Sequence, residues 1–133
     1  RELDGLVLTI TLGTGLGSGM YDHGQLIPHL ELGHMAGKDG EPYEAYASKR
    51  ARVDEGLSWP EWGARFDTFL KRVDRVCSPD HFIIGGGTSK KVDRFKDALT
   101  VSTPIHVASF LNNAGIIGAA VAAAQWDNNK RAP

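Results

Sequence analysis

The fold of this chain is decided by one stretch, Val7-Leu8-Thr9-Ile10-Thr11-Leu12-Gly13-Thr14-Gly15-Leu16-Gly17-Ser18-Gly19-Met20. Its first six residues are apolar or β-branched, which is the composition of a buried strand. The glycines that follow at every second position let backbone amides approach a ligand, because no Cβ stands in the way. Bare N–H groups and small hydroxyls suit a polyanion, so phosphate is the expected ligand of this loop.

Two better-known glycine motifs do not fit this stretch. A dinucleotide fingerprint needs the spacing G-x-G-x-x-G and then a helix, but Ser18 occupies the third glycine position. The residues beyond it predict a second strand and a hairpin turn at His23 and Gly24. A Walker A loop would end in Gly-Lys-Ser/Thr, which is absent. The pattern predicts a phosphate-binding hairpin, and a glycine-rich turn without a ligand is the alternative.

Length, charge and cysteine content limit the possible functions. The chain has 133 residues, enough for one compact domain, and a net charge of −1 that would recruit neither nucleic acid nor an anionic membrane. The single cysteine, Cys77, excludes an internal disulfide and a multi-cysteine zinc site, and it suits a reducing cytoplasm. The sequence opens at Arg1 and almost directly enters a strand, so we expect the C-terminal part of a longer protein.

A second glycine loop follows another short apolar run. Residues 81–84 predict a buried strand, and Gly85-Gly86-Gly87-Thr88-Ser89-Lys90-Lys91 leads into a helix predicted over residues 89–99 with Ser89 as its N-cap. A crevice between strand end and helix start is where ligands collect in open α/β sheets, and the helix start favours anions. The two loops together favour a nucleotide or polyphosphate binder.

Glu31 and His34 form a candidate sugar site. They flank Gly33, so one helical turn or a loop bend would bring both side chains to one face. A carboxylate accepts hydrogen bonds and an imidazole can donate or accept, which suits sugar hydroxyls. A surface ion pair is the simpler alternative. A zinc site would need the spacing HExxH, which is absent.

The remaining predictions concern helices and one strand. Residues 43–53 predict a helix with basic residues near its end, interpreted as a solvated face or, alternatively, as a docking strip for a polyanion. Ser58 and Glu61 form a capping box for a helix that continues to a buried Cys77. Residues 103–108 predict a strand, residues 114–126 a last helix, and residues 127–133 a polar tail.

Taken in order, these motifs resemble the ROK group of sugar kinases over nearly the whole chain. They are Leu12-Gly13-Thr14-Gly15-Leu16-Gly17-Ser18-Gly19, Glu31-Leu32-Gly33-His34, Ile83-Ile84-Gly85-Gly86-Gly87-Thr88-Ser89-Lys90 and Asn113-Ala114-Gly115-Ile116-Ile117-Gly118-Ala119-Ala120. Two further stretches resemble the polyphosphate-using branch of that group: the link Leu26-Ile27-Pro28-His29-Leu30-Glu31-Leu32-Gly33-His34 and the helix start Gly56-Leu57-Ser58-Trp59.

The resemblance implies an α/β fold, namely the C-terminal domain of an actin-like (ribonuclease H-like) ATPase with a mixed sheet flanked by helices, over residues 1–133. It implies phosphoryl transfer from polyphosphate or ATP to the 6-hydroxyl of glucose, assisted by Mg²⁺ and without zinc, in a cytoplasmic homodimer. Glucose would be held by Glu31 and His34. The phosphates would be held by Gly13, Thr14, Gly15 and Gly17. The adenosine or polyphosphate side would be bordered by Gly85, Gly86, Gly87, Thr88, Ser89 and Lys90.

One family element is missing from this sequence. The catalytic aspartate of the family lies upstream of the first glycine loop, and Asp4 does not stand in that motif. We therefore expect no catalytic base within these residues and negligible kinase activity from this chain by itself. Two other functions fit the same motifs: the sugar-sensing module of a ROK-type transcriptional repressor, and a non-catalytic remnant that only dimerises.

Overall fold

The computed structural model describes residues 3–108 of the chain. It contains five strands and three α-helices: β1 (Leu6–Leu12), β2 (Leu16–Asp22), β3 (Gln25–Ile27), α1 (Tyr43–Ala47), α2 (Lys49–Asp54), α3 (Trp59–Cys77), β4 (His81–Gly85) and β5 (Ile105–Val107). Three 3₁₀ segments complete the described part, over Leu32–His34, Gly87–Arg94 and Lys96–Ala98. No helix within residues 3–108 is both long enough and apolar enough to cross a membrane.

The strands form one mixed sheet in the order β3-β2-β1-β4-β5. The glycine-rich hairpin makes β1 and β2 antiparallel, and β2 pairs antiparallel with β3. On its other side β1 pairs parallel with β4, which pairs parallel with β5. The central position of β1 explains its composition, because a strand flanked on both sides is favoured by apolar and β-branched residues.

The core lies between one face of this sheet and α3. Alternate residues of β1 and β4 point to that face and are fully buried: Leu8, Ile10, Leu12, Phe82 and Ile84. The helix supplies Trp62, Phe66, Phe69, Leu70 and Val73, which have no exposed surface. The ring of Trp62 lies 5.5 Å from that of Phe66 and 4.9 Å from that of Phe95, so this tryptophan packs in the aromatic core.

The predicted capping box of α3 is confirmed. The Glu61 amide donates to Ser58 Oγ at 3.3 Å, and the Ser58 amide donates to Glu61 Oε2 at 2.8 Å. These two bonds satisfy amide donors that a helix start leaves without intrahelical partners. The helix ends where Ser78 adopts φ 48°, directly before Pro79.

Two helix predictions were wrong. The helix predicted over residues 43–53 is broken at Ser48, whose extended backbone ends α1 and whose Oγ accepts from the Ala51 amide to begin α2. Serine competes with the helix for backbone groups and so favours such a break. The helix predicted over residues 89–99 is instead two 3₁₀ segments, and its N-cap is Gly86 rather than Ser89.

Smaller differences concern the end of α3 and the residues beyond β4. Cys77 is half-buried rather than buried, and this partial burial raises the pKa of its thiol. The strand predicted over residues 103–108 is confirmed over Ile105–Val107. The helix predicted over residues 114–126 and the tail predicted over residues 127–133 lie outside the described residues.

A buried carboxylate connects α3 to the loop that leads into β5. Asp67, whose side chain is 8% exposed, accepts from the Thr100 and Val101 amides at 2.6 and 3.0 Å. It also accepts from Thr100 Oγ1 at 2.8 Å and pairs with Lys71 Nζ at 2.9 Å. Burial raises the pKa of this carboxyl, but the hydrogen bonds from Lys71, Thr100 and Val101 outweigh it and hold the pKa below its ordinary value.

We expect Asp67→Asn to lower the free energy of unfolding by about 2 kcal/mol at neutral pH, because the neutral amide loses the charge-assisted bonds that the carboxylate makes with Lys71 and Thr100. Because the pKa of Asp67 is lower in the folded chain, its carboxylate stabilises the fold fully at pH values above the unfolded-state pKa of about 3.9. This stabilisation is lost as the pH falls toward the folded-state pKa. Urea unfolding between pH 3 and 7 should therefore show a flatter acid limb in the variant.

The matched control is Asp93→Asn, because Asp93 is 82% exposed and pairs only with Lys96 among the described residues. We expect it to change stability by less than about 0.5 kcal/mol. Equal losses in the two variants would contradict the role assigned to Asp67.

Candidate functional site

The parallel pairing of β1 with β4 brings the two glycine loops together. Thr11 lies opposite Gly85 in the register, so both strands end at the same edge of the sheet. Just beyond this edge Gly86 adopts φ 83° and packs on β1, where a methyl group on it would lie 2.6 Å from Leu12 O and 2.8 Å from Leu12 N. Only glycine combines that backbone conformation with so close an approach.

The two loops share one open cavity of about 310 Å³. It is lined by Thr11, Leu12, Gly13, Gly15, Leu16, Gly17, Glu44, Gly86 and Gly87. The sequence predicted that the two loops would face a common ligand, and the cavity places residues of both loops around one space. Most of its wall is glycine backbone, which is the surface that suits a phosphate group.

The first glycine turn is shorter than predicted. β2 already begins at Leu16, so only residues 13–15 form the turn, and the Gly13 amide donates to Gly15 O at 3.2 Å to close it. Gly17 lies within β2 opposite Thr11. A methyl group on Gly17 would collide with the Thr11 hydroxyl, so this glycine makes room for the cross-strand side chain as well as lining the cavity.

The second loop contributes fewer residues to the cavity than the sequence suggested. Gly86 and Gly87 line it, and Gly85 is the last residue of β4. Ser89 is buried and its Oγ donates to Gly86 O at 2.7 Å, which fixes the turn from behind. Thr88 is buried as well, with no hydrogen-bond partner for its hydroxyl in the described part of the chain, and Lys90 is exposed.

The turn that carries Glu31 and His34 is attached to the glycine hairpin. Ser18 Oγ accepts from the Leu32 amide at 2.9 Å and donates to Leu30 O at 3.2 Å. Glu31 then stands before a 3₁₀ turn and the His34 amide donates to Glu31 O at 3.1 Å. Ser18 of β2 thus ties the turn that carries both predicted sugar ligands to the glycine hairpin.

The ionic partner of His34 is Glu44 rather than Glu31. His34 Nε2 lies 3.4 Å from Glu44 Oε1, and 63% of the His34 side chain is exposed. Glu44 also lies against the first glycine turn, since a methyl group on Gly15 would lie 2.7 Å from Glu44 Oε2. Among the described residues that line the shared cavity, Glu44 is the one charged side chain.

Sequence reasoning missed Glu44 because no motif marks it. It lies in the first turn of α1, and the packing of α3 sets where that short helix lies. The indole Nε1 of Trp62 donates to both Ala47 O and Ser48 O at 3.0 Å, which holds the end of α1 against α3. The Lys49 amide donates to Gly13 O at 3.2 Å and ties the start of α2 to the glycine turn.

The basic residues of α2 do not form one strip. Arg50 Nε lies 3.5 Å from Asp54 Oδ2, and the Arg52 guanidinium stacks 3.8 Å from the Trp59 ring centroid. A second cavity of about 480 Å³ borders this helix and the tip of the glycine turn. Its charged lining residues are Glu44, Arg50, Asp54 and Glu55, so the geometry favours a solvated, internally paired face over a polyanion docking strip.

A metal site built from side chains alone is not found in residues 3–108, where no three His, Cys, Asp or Glu residues are grouped to hold an ion. Mg²⁺ does not need such a cage, because it is commonly held by one or two carboxylates together with substrate phosphates and water. Glu44 at the edge of the glycine cavity fits that pattern.

No protein-family model matches the chain. It is 38% identical over 122 residues to a polyphosphate glucokinase of Mycobacterium leprae, a match that covers 92% of this chain and 37% of that protein. It is 43% identical to the crystal structure of an inorganic polyphosphate/ATP-glucomannokinase from Arthrobacter sp. strain KM, with a TM-score of 0.89 over 95% of this chain and 49% of that one.

A ROK family glucokinase from Streptomyces griseus, solved with glucose and AMPPNP, shares the fold at 22% identity, with a TM-score of 0.77 over 93% of this chain and 62% of that one. The predicted resemblance of the chain to ROK sugar kinases, and to polyphosphate glucokinases in particular, is confirmed. Its mixed sheet with flanking helices is the actin-like ATPase fold predicted from the motifs. The chain spans less than half the length of the curated relatives it matches.

We expect Gly86→Ala to lower the free energy of unfolding by at least about 2 kcal/mol, because the methyl group is strained by the positive φ and also meets the Leu12 backbone. Gly24→Ala is the matched control, since Gly24 has φ 77° but open space around its Cβ position. The control should lose about 1 kcal/mol from backbone strain alone. Equal losses in urea unfolding would show that Gly86 does not pack against β1.

Proposed function

We propose that this chain forms the phosphate-binding half of the active site of a glucokinase, which transfers a phosphoryl group from polyphosphate or ATP to the 6-hydroxyl of glucose. The observation that carries the proposal is the single cavity between two glycine turns, bordered by the His34–Glu44 pair. The names of the relatives at 37–43% identity support the same reaction.

The glycine side of the cavity is assigned to the donor. Backbone around residues 13–15 and 86–87 offers small, uncharged surface, and Thr11 adds a hydroxyl. Such a surface can surround a terminal phosphate from several directions without steric obstruction. Thr88, whose buried hydroxyl is unpaired in the described region, and Lys90 stand on the side assigned to adenosine or to the rest of a polyphosphate chain.

The acceptor is assigned to the side of Glu31, His34 and Glu44. A carboxylate repels phosphate but accepts hydrogen bonds from hydroxyl groups, so Glu44 beside Gly15 marks the boundary between donor and sugar. His34 at 3.4 Å from Glu44 can donate to a second hydroxyl. The sugar hydroxyl would then lie next to the donor phosphate, and such positioning supplies much of the acceleration in phosphoryl transfer.

Two groups complete the proposed reaction. Mg²⁺, held by donor phosphates near Glu44, would neutralise charge on the transferring phosphoryl group. The base that takes the proton of the 6-hydroxyl is proposed to be an aspartate upstream of residue 1 in the complete enzyme. The homodimer and the cytoplasmic location implied by the family resemblance stay predictions, which native mass measurement and cell fractionation would test.

A sugar-sensing repressor module would need the Glu31–His34 side but not a phosphate cavity. We therefore test the cavity directly with Gly13→Asp. The Cβ position of Gly13 has open space around it, so folding should be retained. A carboxylate at this point would repel phosphate, and we expect the affinity of this chain for polyphosphate and for Mg²⁺–ATP to fall at least tenfold in calorimetric titrations.

Gln25→Glu serves as the charge-matched control, because Gln25 is exposed on the edge strand β3. Its donor affinity should stay within about twofold of the unaltered chain, since exposed charges more than a Debye length apart are largely screened. Absence of donor binding in the unaltered chain, or equal losses in both variants, would count against the phosphate assignment.

The sugar assignment predicts a different kinetic signature in the complete enzyme. Glu31→Ala and Glu44→Gln should each raise the KM for glucose roughly tenfold or more, because each removes a charged acceptor of a sugar hydroxyl. The KM for the phosphate donor should change little in Glu31→Ala, because Glu31 is not among the residues that line the cavity assigned to the donor. Steady-state assays in which glucose and donor are varied separately provide the measurement, and an unaltered KM for glucose would remove the residue concerned from the sugar site.

A further inference from the structure

Two histidines meet on the sheet, away from the glycine cavity. His81 begins β4 and His106 is the middle residue of β5. His106 lies opposite Ile83 in the parallel register, so it is the diagonal neighbour of His81 on the same face. The His81 Nδ1 and His106 Nε2 atoms are 3.1 Å apart, and the two half-buried rings are tilted by 58°.

This pair is outside the site assigned to phosphoryl transfer. His81 starts the strand whose other end, Gly85, borders the second glycine loop, and four residues of strand span about 13 Å. The core face of β4 carries Phe82 and Ile84, so His81 points to the opposite face, away from α3. The proposed kinase reaction uses neither of these two side chains, so a ligand bound between them would be independent of that reaction.

The pair also differs from His23 and His34. His23 lies against Asp22 and His34 against Glu44, which are ordinary partners for an imidazole at a surface. His81 and His106 have each other as side-chain partners within the described residues. The carboxylate adjacent in sequence, Asp80, is engaged with the Leu6 amide at 2.7 Å.

We propose that His81 and His106 bind a divalent transition-metal ion of the Cu²⁺, Ni²⁺ and Zn²⁺ group. An ion about 2.0–2.1 Å from each nitrogen, with an angle of about 90–110° at the metal, separates the two nitrogens by about 2.8–3.4 Å. The observed 3.1 Å falls within that interval, so the spacing of the two nitrogens lets both bind one ion once each ring turns its lone pair toward that ion.

Without a metal ion, the two imidazoles make one N–H···N hydrogen bond over this 3.1 Å distance. Binding needs the lone pairs of His81 Nδ1 and His106 Nε2 together. In the neutral imidazoles the bridging proton therefore moves to the other nitrogen of its own ring, and no proton is released. Water completes the coordination shell, and imidazole selects these ions over Mg²⁺, which prefers oxygen ligands.

An ion at this position would cross-link β4 to β5, the last described strand of the sheet. Because it binds the folded chain and joins residues 25 positions apart, it should raise the unfolding midpoint in proportion to its occupancy. At an ion concentration near 100 times Kd, the midpoint should rise by roughly 10 °C.

The test is thermal unfolding of the whole chain with Zn²⁺ or Ni²⁺, with Mg²⁺ as the comparison ion and a chelator to reverse the effect. We expect the unfolding midpoint to rise with the transition metals only. His81→Gln and His106→Gln should each weaken Zn²⁺ binding at least tenfold in calorimetry and remove the rise. His29→Gln and His34→Gln are the matched controls and should retain both the binding and the rise.

A measurement on the unaltered chain covers the case in which a variant fails to fold. ¹⁵N-detected spectra of the histidine side chains should show Zn²⁺-dependent shifts at His81 Nδ1 and His106 Nε2, and the Cu²⁺ form should show coupling to two imidazole nitrogens. Metal-dependent shifts confined to His23, His29 or His34 would overturn the proposal. The proposal would also be overturned by a rise in the unfolding midpoint that survives in His81→Gln, or by no rise with either Zn²⁺ or Ni²⁺.

Discussion

The parallel pairing of β1 with β4 is the interaction on which the rest of this structure depends. These strands are 74 residues apart where Val7 lies opposite His81, and only their pairing brings two glycine turns to one edge of the sheet. The close approach of Gly86 to Leu12 shows how tightly the second turn is placed on the first strand. A side chain at Gly86 would collide with the Leu12 backbone and separate the two turns.

The helical layer has a comparable role on the other side of the site. α3 buries its aromatic residues against the sheet, and its Trp62 indole also holds the carbonyls at the end of α1. That contact sets the position of Glu44, which touches the glycine turn and pairs with His34. The core and the candidate sugar side are therefore connected through one buried tryptophan.

Local sequence patterns correctly predicted those elements that depend only on residues close together in the chain. The apolar, β-branched composition of β1, the glycine hairpin and the capping box at Ser58 and Glu61 all depend on residues close together in the chain, and all are present. The segments that failed, residues 43–53 and 89–99, contain a serine whose hydrogen bonds compete with the helix. Each of these segments also contacts an aromatic residue of α3, whose influence a local pattern does not contain.

The sequence by itself determined the family resemblance and the strand–glycine–strand hairpin. It also determined both glycine loops, because a missing Cβ is a property of the residue and needs no partner. Only the tertiary structure decided that the loops share a cavity, that His34 faces Glu44 rather than Glu31, and that His81 meets His106. Each of these depends on which strand or helix packs beside which, and residues distant in the chain set that packing.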